Sequence, residues 1–383
     1  MAHADTQNSL LVIGVHLKSE GYPNTLYRLR DLEASGLFQM SEINVPMWSE
    51  NSQNRHGLSR LTRNGWRAII AHIMVMIRYL AAKYPQRVYV PYPSVFVLFL
   101  LSWLPVWCRP RYIVADVFIS LYDTIVLDRR LIKQNGLPAR ILKWIEGRAY
   151  ACANKLVVDT PQNARFICSL FELPESKLVT VPLSIDEAHF KYTPYQPTSG
   201  ICRVLFVGTM VPLHGIETIL EAACLLSERP DIQFKLIGDG QDAPLVEARL
   251  RTHTPHLEWE RAWQPSHRIA EEISRADICL GIFGAGDKAQ RVCPFKIYAY
   301  ASMGRAIITG ETLWFRETVQ LPRESFVSVP VNNAVALAAK IIQLADAPAL
   351  RAKLAANSHQ FYENHLSNQA ALKQLAQVFA HLR

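Results

Sequence analysis

The stretch ADICLGIFGAGDKAQRVCPFKIYAYASMGRAIIT, residues 276–309, decides the fold. Ile278, Cys279 and Leu280 form a short apolar run of the kind that makes a strand buried on both faces. It ends in a glycine-rich loop, 281–286. A helical pattern follows, Gly304 closes it, and a second apolar run begins at Ala306. Strand, loop, helix and strand in that order make one repeat of a parallel α/β sheet. Three cations, Lys288, Arg291 and Lys296, lie within nine residues after the loop. Glycine amides, a helix start and positive charge are together what a diphosphate requires, so Gly284 and these three cations are candidate anion ligands.

Working outward, the same alternation covers the whole chain. Strands are expected at 202–207, 233–237, 257–263 and 326–329 in the second half. In the first half they are expected at 10–15, 43–46, 88–90, 112–117, 155–159 and 178–181, with helices over 24–35 and 59–83. In the second of these helices Trp66, Ile69, Ile70, Ile73, Ile77 and Leu80 recur at helical spacing, which reads as a core face. Thr160 and Pro161 mark a helix start. The stretch KYTPYQPTSG, residues 191–200, has no periodicity and reads as the domain boundary. The fold class is α/β, with two sheets in series and ligands expected at the carboxyl ends of their strands.

Two further glycine turns follow strands. In FVGTMVPLHGIETILEAA, 206–223, Gly208 permits a sharp turn and Gly215 sits where a helix begins. Thr209 and His214 lie in that turn, with a purely structural role the alternative for the histidine. In LIGDGQD, 236–242, Gly238 allows backbone to approach a ligand closely. In the first half, YIVADVFISLYDT, 112–124, places Asp116 near a strand end. There it is a candidate to orient or deprotonate an acceptor hydroxyl, with a loop or cap role the alternative. Asp123 and Asn24 are secondary candidates on the acceptor side.

The chain has 383 residues and a net charge of +8. Its seven cysteines are scattered, which argues against a disulfide framework or a zinc site and favours a reducing compartment. No metal motif is present, so no tightly held metal and no cofactor are expected. The first residues lack the marks of a signal peptide. From Asn51 to Ala115 there is no Asp or Glu but nine Lys and Arg, together with VFVLFLLSWLPVW at 95–107. That run is shorter than the roughly 20 residues of a spanning helix. Basic charge beside aromatics therefore reads as a segment lying on an anionic membrane, with a buried helix the alternative. No recognised nucleic-acid-binding fold is present, and no nucleic acid partner is expected.

In combination, KLVVDTPQNARFI (155–167), VPLSIDEAHF (181–190), FVGTMVPLHG, the IGDG turn, ADICLGIF and PFKIYAYASMGRAIITGE (294–311) resemble family 4 glycosyltransferases of the GT-B fold. The chain is closest in text to a branch with "PLHG". The resemblance implies two Rossmann-like domains facing each other across a cleft. Residues 1–190 would bind the acceptor and carry the basic, aromatic segment. Residues 201–360 would bind a nucleotide-sugar. Residues 361–383 would form a helical tail open to packing back on the first domain.

The resemblance further implies a retaining, metal-independent hexosyltransferase, peripheral on the cytoplasmic face of the membrane. Its acceptor would be a lipid-linked glycan in exopolysaccharide or surface-glycan biosynthesis. Departures are specific. The family's Arg and Lys in the first glycine turn correspond to Thr209 and His214, and its two Glu residues to Arg291 and Ala299. Cations of the second loop are expected to compensate. A sugar-nucleotide epimerase and a non-catalytic degenerate scaffold are the alternatives.

Overall fold

The computed structural model describes residues 9–20, 22–46, 58–82, 85–197, 200–251, 256–319 and 325–380, with side chains of 58–64 excepted. By contacts the chain divides into two compact units, Met1–Ser184 with Ala371–Arg383, and Ile185–Ala370.

The first unit runs β1 (Ser9–Gly14), α1 (Pro23–Ala34), β2 (Gln39–Asn44), α2 (Leu58–Ala81), β3 (Arg87–Val90), α3 (Val95–Leu101), β4 (Tyr112–Asp116), α4 (Leu137–Cys152), β5 (Lys155–Val158), α5 (Pro161–Phe171) and β6 (Leu178–Thr180). All six strands are parallel, in the order β2-β1-β3-β4-β5-β6. Alternation along β1 separates two cores. Leu10 and Val12 pack with Leu29 and Leu32 of α1, and with Leu375 and Phe379 of the last helix, Asn368–Ala380. Leu11 and Ile13 pack with Val75 and Tyr79 of α2 and with Val97 and Leu98 of α3. Thr160 caps α5, its side chain accepting from the Asn163 amide, and Pro161 opens the helix.

Two expectations need correction. The second strand lies earlier than 43–46, because it is a half-exposed edge strand whose text, QMSEIN, has no apolar run. The α2 stripe is not a core face. Ala71, His72, Val75 and Tyr79 face the sheet, whereas Trp66, Ile69, Ile70, Ile73, Ile77 and Leu80 are exposed, Trp66 by 68% and Ile77 by 61%. Trp103, Val106 and Trp107 beyond α3, and Leu137, Ile141 and Trp144 of α4, are exposed as well. Arg55 and Lys83 of the basic stretch lie outside the described residues, as do the side chains of Arg60 and Arg63. Among the described residues no helix is long and apolar enough to cross a membrane.

The second unit runs β7 (Cys202–Val207), α6 (Ile216–Leu225), β8 (Ile232–Ile237), α7 (Ala243–Arg251), β9 (Leu257–Glu260), α8 (Ser266–Arg275), β10 (Ile278–Leu280), α9 (Asp287–Arg291), α10 (Phe295–Ser302), β11 (Ala306–Gly310), β12 (Val327–Val329), α11 (Ala334–Ala345) and α12 (Pro348–Phe361). Its parallel sheet has the order β12-β11-β10-β7-β8-β9. Strands are added in one direction from β7 to β9 and in the other from β10 to β12. The switch point lies between β7 and β10, where sheets of this kind hold their ligands.

The division falls at Ser184–Ile185, ahead of the 191–200 stretch. Its residues 191–197 are fastened within the second unit. The Tyr192 ring stacks on His359 at 3.8 Å. The Tyr195 hydroxyl donates to Asp277 and accepts from Arg351 Nε at 2.9 Å. Arg305, 2% exposed, donates to the carbonyls of Thr193, Ile273, Ser274, Met303 and Gly304. Removing one guanidinium would take the donor from five carbonyl acceptors at once. Arg305→Met should therefore lower stability by about 3 kcal/mol or more. Urea denaturation followed by tryptophan fluorescence measures this, and an unchanged midpoint would refute it.

Candidate functional site

The site is built at the switch point of the second unit. After β7 the backbone turns at Gly208, φ +153°, and reverses at Gly215, φ +64°, a conformation open to glycine. α6 then starts with no side-chain cap, and α10 likewise. Their first-turn amides have no acceptor within the helix. The three glycine turns meet. The Gly208 amide donates to the Ile237 carbonyl at 3.0 Å, and the Phe283 amide to the His214 carbonyl at 3.0 Å. A Cβ on Gly238 would lie 2.1 Å from the Gly208 carbonyl oxygen, and one on Gly215 2.6 Å from the Gly284 amide. Gly208, Gly215, Gly238 and Gly284 are thus brought together, with exposed Thr209 at the rim.

Two basic side chains converge on this turn. Lys296, in the first turn of α10, is buried with its Nζ 3.7 Å over the Phe206 ring and, among the described residues, without a hydrogen-bond partner. His214 is buried beside it, edge-on to the same ring at 5.6 Å, with Nδ1 unpartnered. Burial pushes both well below their ordinary pKa, and the Lys296 charge pushes His214 further down. Arg291 differs, since its guanidinium meets Asp287 at 3.1 Å through both Nε and Nη2. Lys288, half-buried on α9, lies one residue after Asp287.

In the first unit the strand ends carry a separate polar cluster. Asp116, at the end of β4, is 0% exposed. Its Oδ1 takes a bond from Arg28 Nη1 at 2.5 Å and its Oδ2 one from the Tyr89 hydroxyl at 2.8 Å. Burial pushes its carboxyl up, against the opposing pull of Arg28 and Tyr89. The expected open carboxylate is therefore sealed, because both oxygens serve the fold. Asn24, one turn ahead of Arg28, accepts from the Ser184 amide at 2.9 Å and leaves Nδ2 unpartnered. Asp123 is buried in the next helical turn, whose start is held by Glu146 accepting from the Leu121 and Tyr122 amides. His16, after β1, meets Glu42 Oε1 through Nε2 at 2.9 Å, and Lys18 meets Oε2 at 2.6 Å.

Comparison with known proteins places this geometry. Residues 202–347 match the family described as glycosyl transferases group 1. The second unit is thus similar to a group 1 glycosyltransferase domain, and the chain as a whole has the GT-B fold. Sucrose-phosphate synthase from Thermosynechococcus elongatus is similar over 98% of this chain and 99% of its own, with a TM-score of 0.72 at 15% identity. Anabaena HepE in complex with UDP-glucose is similar over 97% and 99%, with a TM-score of 0.65 at 11% identity. A glycosyltransferase from Rickettsia africae ESF-5 is similar over 97% of both chains, with a TM-score of 0.64 at 14% identity. No curated protein matches the chain.

Within this GT-B chain, Ala299 is buried in α10 and offers no polar atom beyond its backbone. Arg28, Tyr89, His16 and Glu42 escape a reading of the sequence. Their partners lie 26 to 88 residues away, and only the parallel sheet brings them together. His16 sits in GVHLKSEG beside the first strand, which was the one available signal.

The hydrogen bond from His16, followed by Lys18, lowers Glu42 from 4.5 to about 2. A depressed carboxyl stabilises the fold above its unfolded value and loses that effect as pH falls toward the folded one. The gap in Tm between wild type and Glu42→Gln should be full at about pH 6 and shrink steadily from about pH 4.5 downward. A gap that stays constant with pH would remove the ion cluster as its source.

Proposed function

We propose that the protein moves a sugar from a nucleotide-sugar donor, held at the glycine turns of the second unit, to a lipid-linked glycan acceptor. The meeting of Gly208, Gly215, Gly238 and Gly284 under Lys296 carries the donor half of this reading. Uncapped helix starts and a buried cation suit a diphosphate better than any neutral ligand. The complexes of Anabaena HepE with UDP and with UDP-glucose support a nucleotide-sugar as the ligand class. In this reading no bound metal is required, since Lys296, with Lys288 and Arg291 nearby, supplies the positive charge.

Retention of configuration follows from the resemblance to family 4. Catalysis then rests on positioning and on stabilising the departing diphosphate and the oxocarbenium-like transition state. Asp116 acts here through Arg28, as a positioning residue that fixes α1 and the acceptor-side strand ends. The membrane half rests on surface character. Four acids occur from 51 to 150, and Asp116, Asp123 and Glu146 among them are buried. Exposed Arg67, Arg78 and Arg140 lie on the helices that expose the apolar α2 stripe and Trp144. Basic charge beside interfacial tryptophan fits the cytoplasmic surface of an anionic membrane. Synthesis of an exopolysaccharide or surface glycan is the role that such an acceptor implies.

A thermal-shift panel of UDP, GDP, ADP and dTDP with their sugars tests the donor half. A ligand at 100 times its Kd adds about 2.7 kcal/mol of stability. One nucleotide should stand out, and its sugar should then be transferred to lipid acceptors. Binding without transfer would favour the degenerate scaffold, and no shift at all would end the donor-site reading. For the membrane half, sedimentation with anionic vesicles should capture the wild type, and Ile73→Asp/Ile77→Asp should weaken that capture about tenfold or more. Equal capture of both by neutral vesicles would reject it.

A further inference from the structure

Lys296 is a buried lysine that no group among the described residues answers. The residue is 8% exposed, and among the described residues its Nζ has no hydrogen-bond partner. The Phe206 ring lies beneath it at 3.7 Å. A Cβ placed on Gly208 would come 2.8 Å from Nζ and 3.4 Å from His214 Cε1, so both basic side chains press on the backbone of one turn. Other buried cations of this unit are fully engaged. Arg305 has its five carbonyls, and Arg351 donates to Tyr195 and to the carbonyls of Leu344 and Ala345. Lys296 alone of these points its charge at a turn whose following helix starts uncapped. A buried ammonium without acceptor or counter-ion is strongly disfavoured, and such a group ordinarily sheds its proton.

Titratable groups near Lys296 come from the turn after β7 and from α10 itself. From the turn, His214 lies beside Lys296 against Gly208. From α10, Tyr300 turns away, its hydroxyl accepting from the Val207 amide at 2.9 Å. Burial lowers Lys296, and among the described residues no carboxylate is hydrogen-bonded to its Nζ.

We propose that Lys296 is uncharged in the free protein and binds a proton when the donor's diphosphate, or the nucleoside diphosphate product, seats on the Gly208 turn. This rests on the donor-site reading above. One proton passes from solvent to Nζ for each anion bound, and no covalent bond forms. The anion supplies the counter-charge that the fold omits, so the two events stabilise each other. A neutral lysine in the empty site also leaves a sealed, apolar floor on Phe206. The site is then selective for ligands that bring their own negative charge. Release of the product diphosphate returns the proton to solvent, which couples each turnover to a cycle of charge at this position.

Sign and slope follow from linkage. Between the free and bound pKa values of Lys296, affinity should fall about tenfold per pH unit as pH rises. Above about pH 7.5 the phosphates of the ligand no longer titrate, so the slope belongs to the protein.

Calorimetric titration of the full chain with UDP, GDP, ADP and dTDP, in buffers of different ionisation enthalpy at about pH 8, counts the protons. The tightest nucleotide should bind with uptake approaching one proton, and its nucleoside without any. Lys296→Met should lose the uptake and weaken binding about tenfold or more, while His214→Gln should keep the uptake. Binding by the wild type without proton exchange overturns the proposal and leaves the donor site standing. Uptake that survives in Lys296→Met and vanishes in His214→Gln also overturns it, assigning the proton to the histidine. If none of the four nucleotides binds at millimolar concentration, the donor-site reading falls and this inference with it.

Discussion

At the switch point of the second unit, backbone rests directly on backbone. The missing Cβ of Gly238 would sit 2.1 Å from the Gly208 carbonyl oxygen, and that of Gly284 2.6 Å from the Pro212 carbonyl oxygen. No side chain fits at these crossings. The ends of β7, β8 and β10 therefore meet by direct main-chain contact, with side-chain bonds from Tyr300, Trp259 and Thr309 beside it. Everything else at the site is placed by this contact. It fixes where α6 begins and carries His214 inward. It also brings the first turn of α10 so close to Gly208 that Lys296 is sealed from water. Glycine here serves close approach first and turn conformation second, and that is why several of these positions have positive φ as well.

The parallel sheets were legible because strands buried on both faces are written as unbroken apolar runs. Val204 to Val207, and the run of Ala306, Ile307 and Ile308, need no periodicity to be recognised. Where that condition fails, so does the reading. β2 pairs only with β1, half of its residues face water, and QMSEIN resembles loop text. The α2 stripe shows a different limit. Helical spacing reveals that a helix has two unlike faces, but not which one meets the sheet. Small Ala71 and long Tyr79 fill the sheet-side position, and the larger apolar set is left outside. The glycine turns were found as three separate signals. That they form one site follows from the strand order, which no local text contains.

Buried charge divides along the same line. Arg28 and Asp116 are 88 residues apart, and neither announces a partner. A strand-end aspartate looks the same in sequence whether it faces a ligand or an arginine. The outcome is set by α1, which carries Asn24 and Arg28 one turn apart and uses them to fasten the 182–184 backbone and β4 together. Such pairs are weak sources of net stability but costly to break, so they fix geometry more than they strengthen the fold. In the second unit Arg305 and Arg351 perform the corresponding service for the 191–197 segment. An apparently featureless linker becomes part of a domain in this way.

In the donor site proposed above, the contrast between Arg291 and Lys296 bears on how a diphosphate could be held without the family's familiar residues. Arg291 pairs with Asp287, an exposed carboxylate on the same short helix. Its charge is therefore already answered, and it can assist a ligand only by sharing or exchanging that partner. Lys296 has no such partner, and a cation at the start of α10 is opposed by the helix dipole as well as by burial. Both penalties change sign when an anion arrives, because the helix end and the ammonium then act on it together. With His214 in place of a cation in the first turn and Ala299 without a polar side chain, favourable charge is concentrated in one position on the far side of Gly208. On the donor reading proposed above, such a site relies mainly on one ammonium that the fold holds in reserve, and its selectivity comes from leaving that group unsatisfied until the ligand binds.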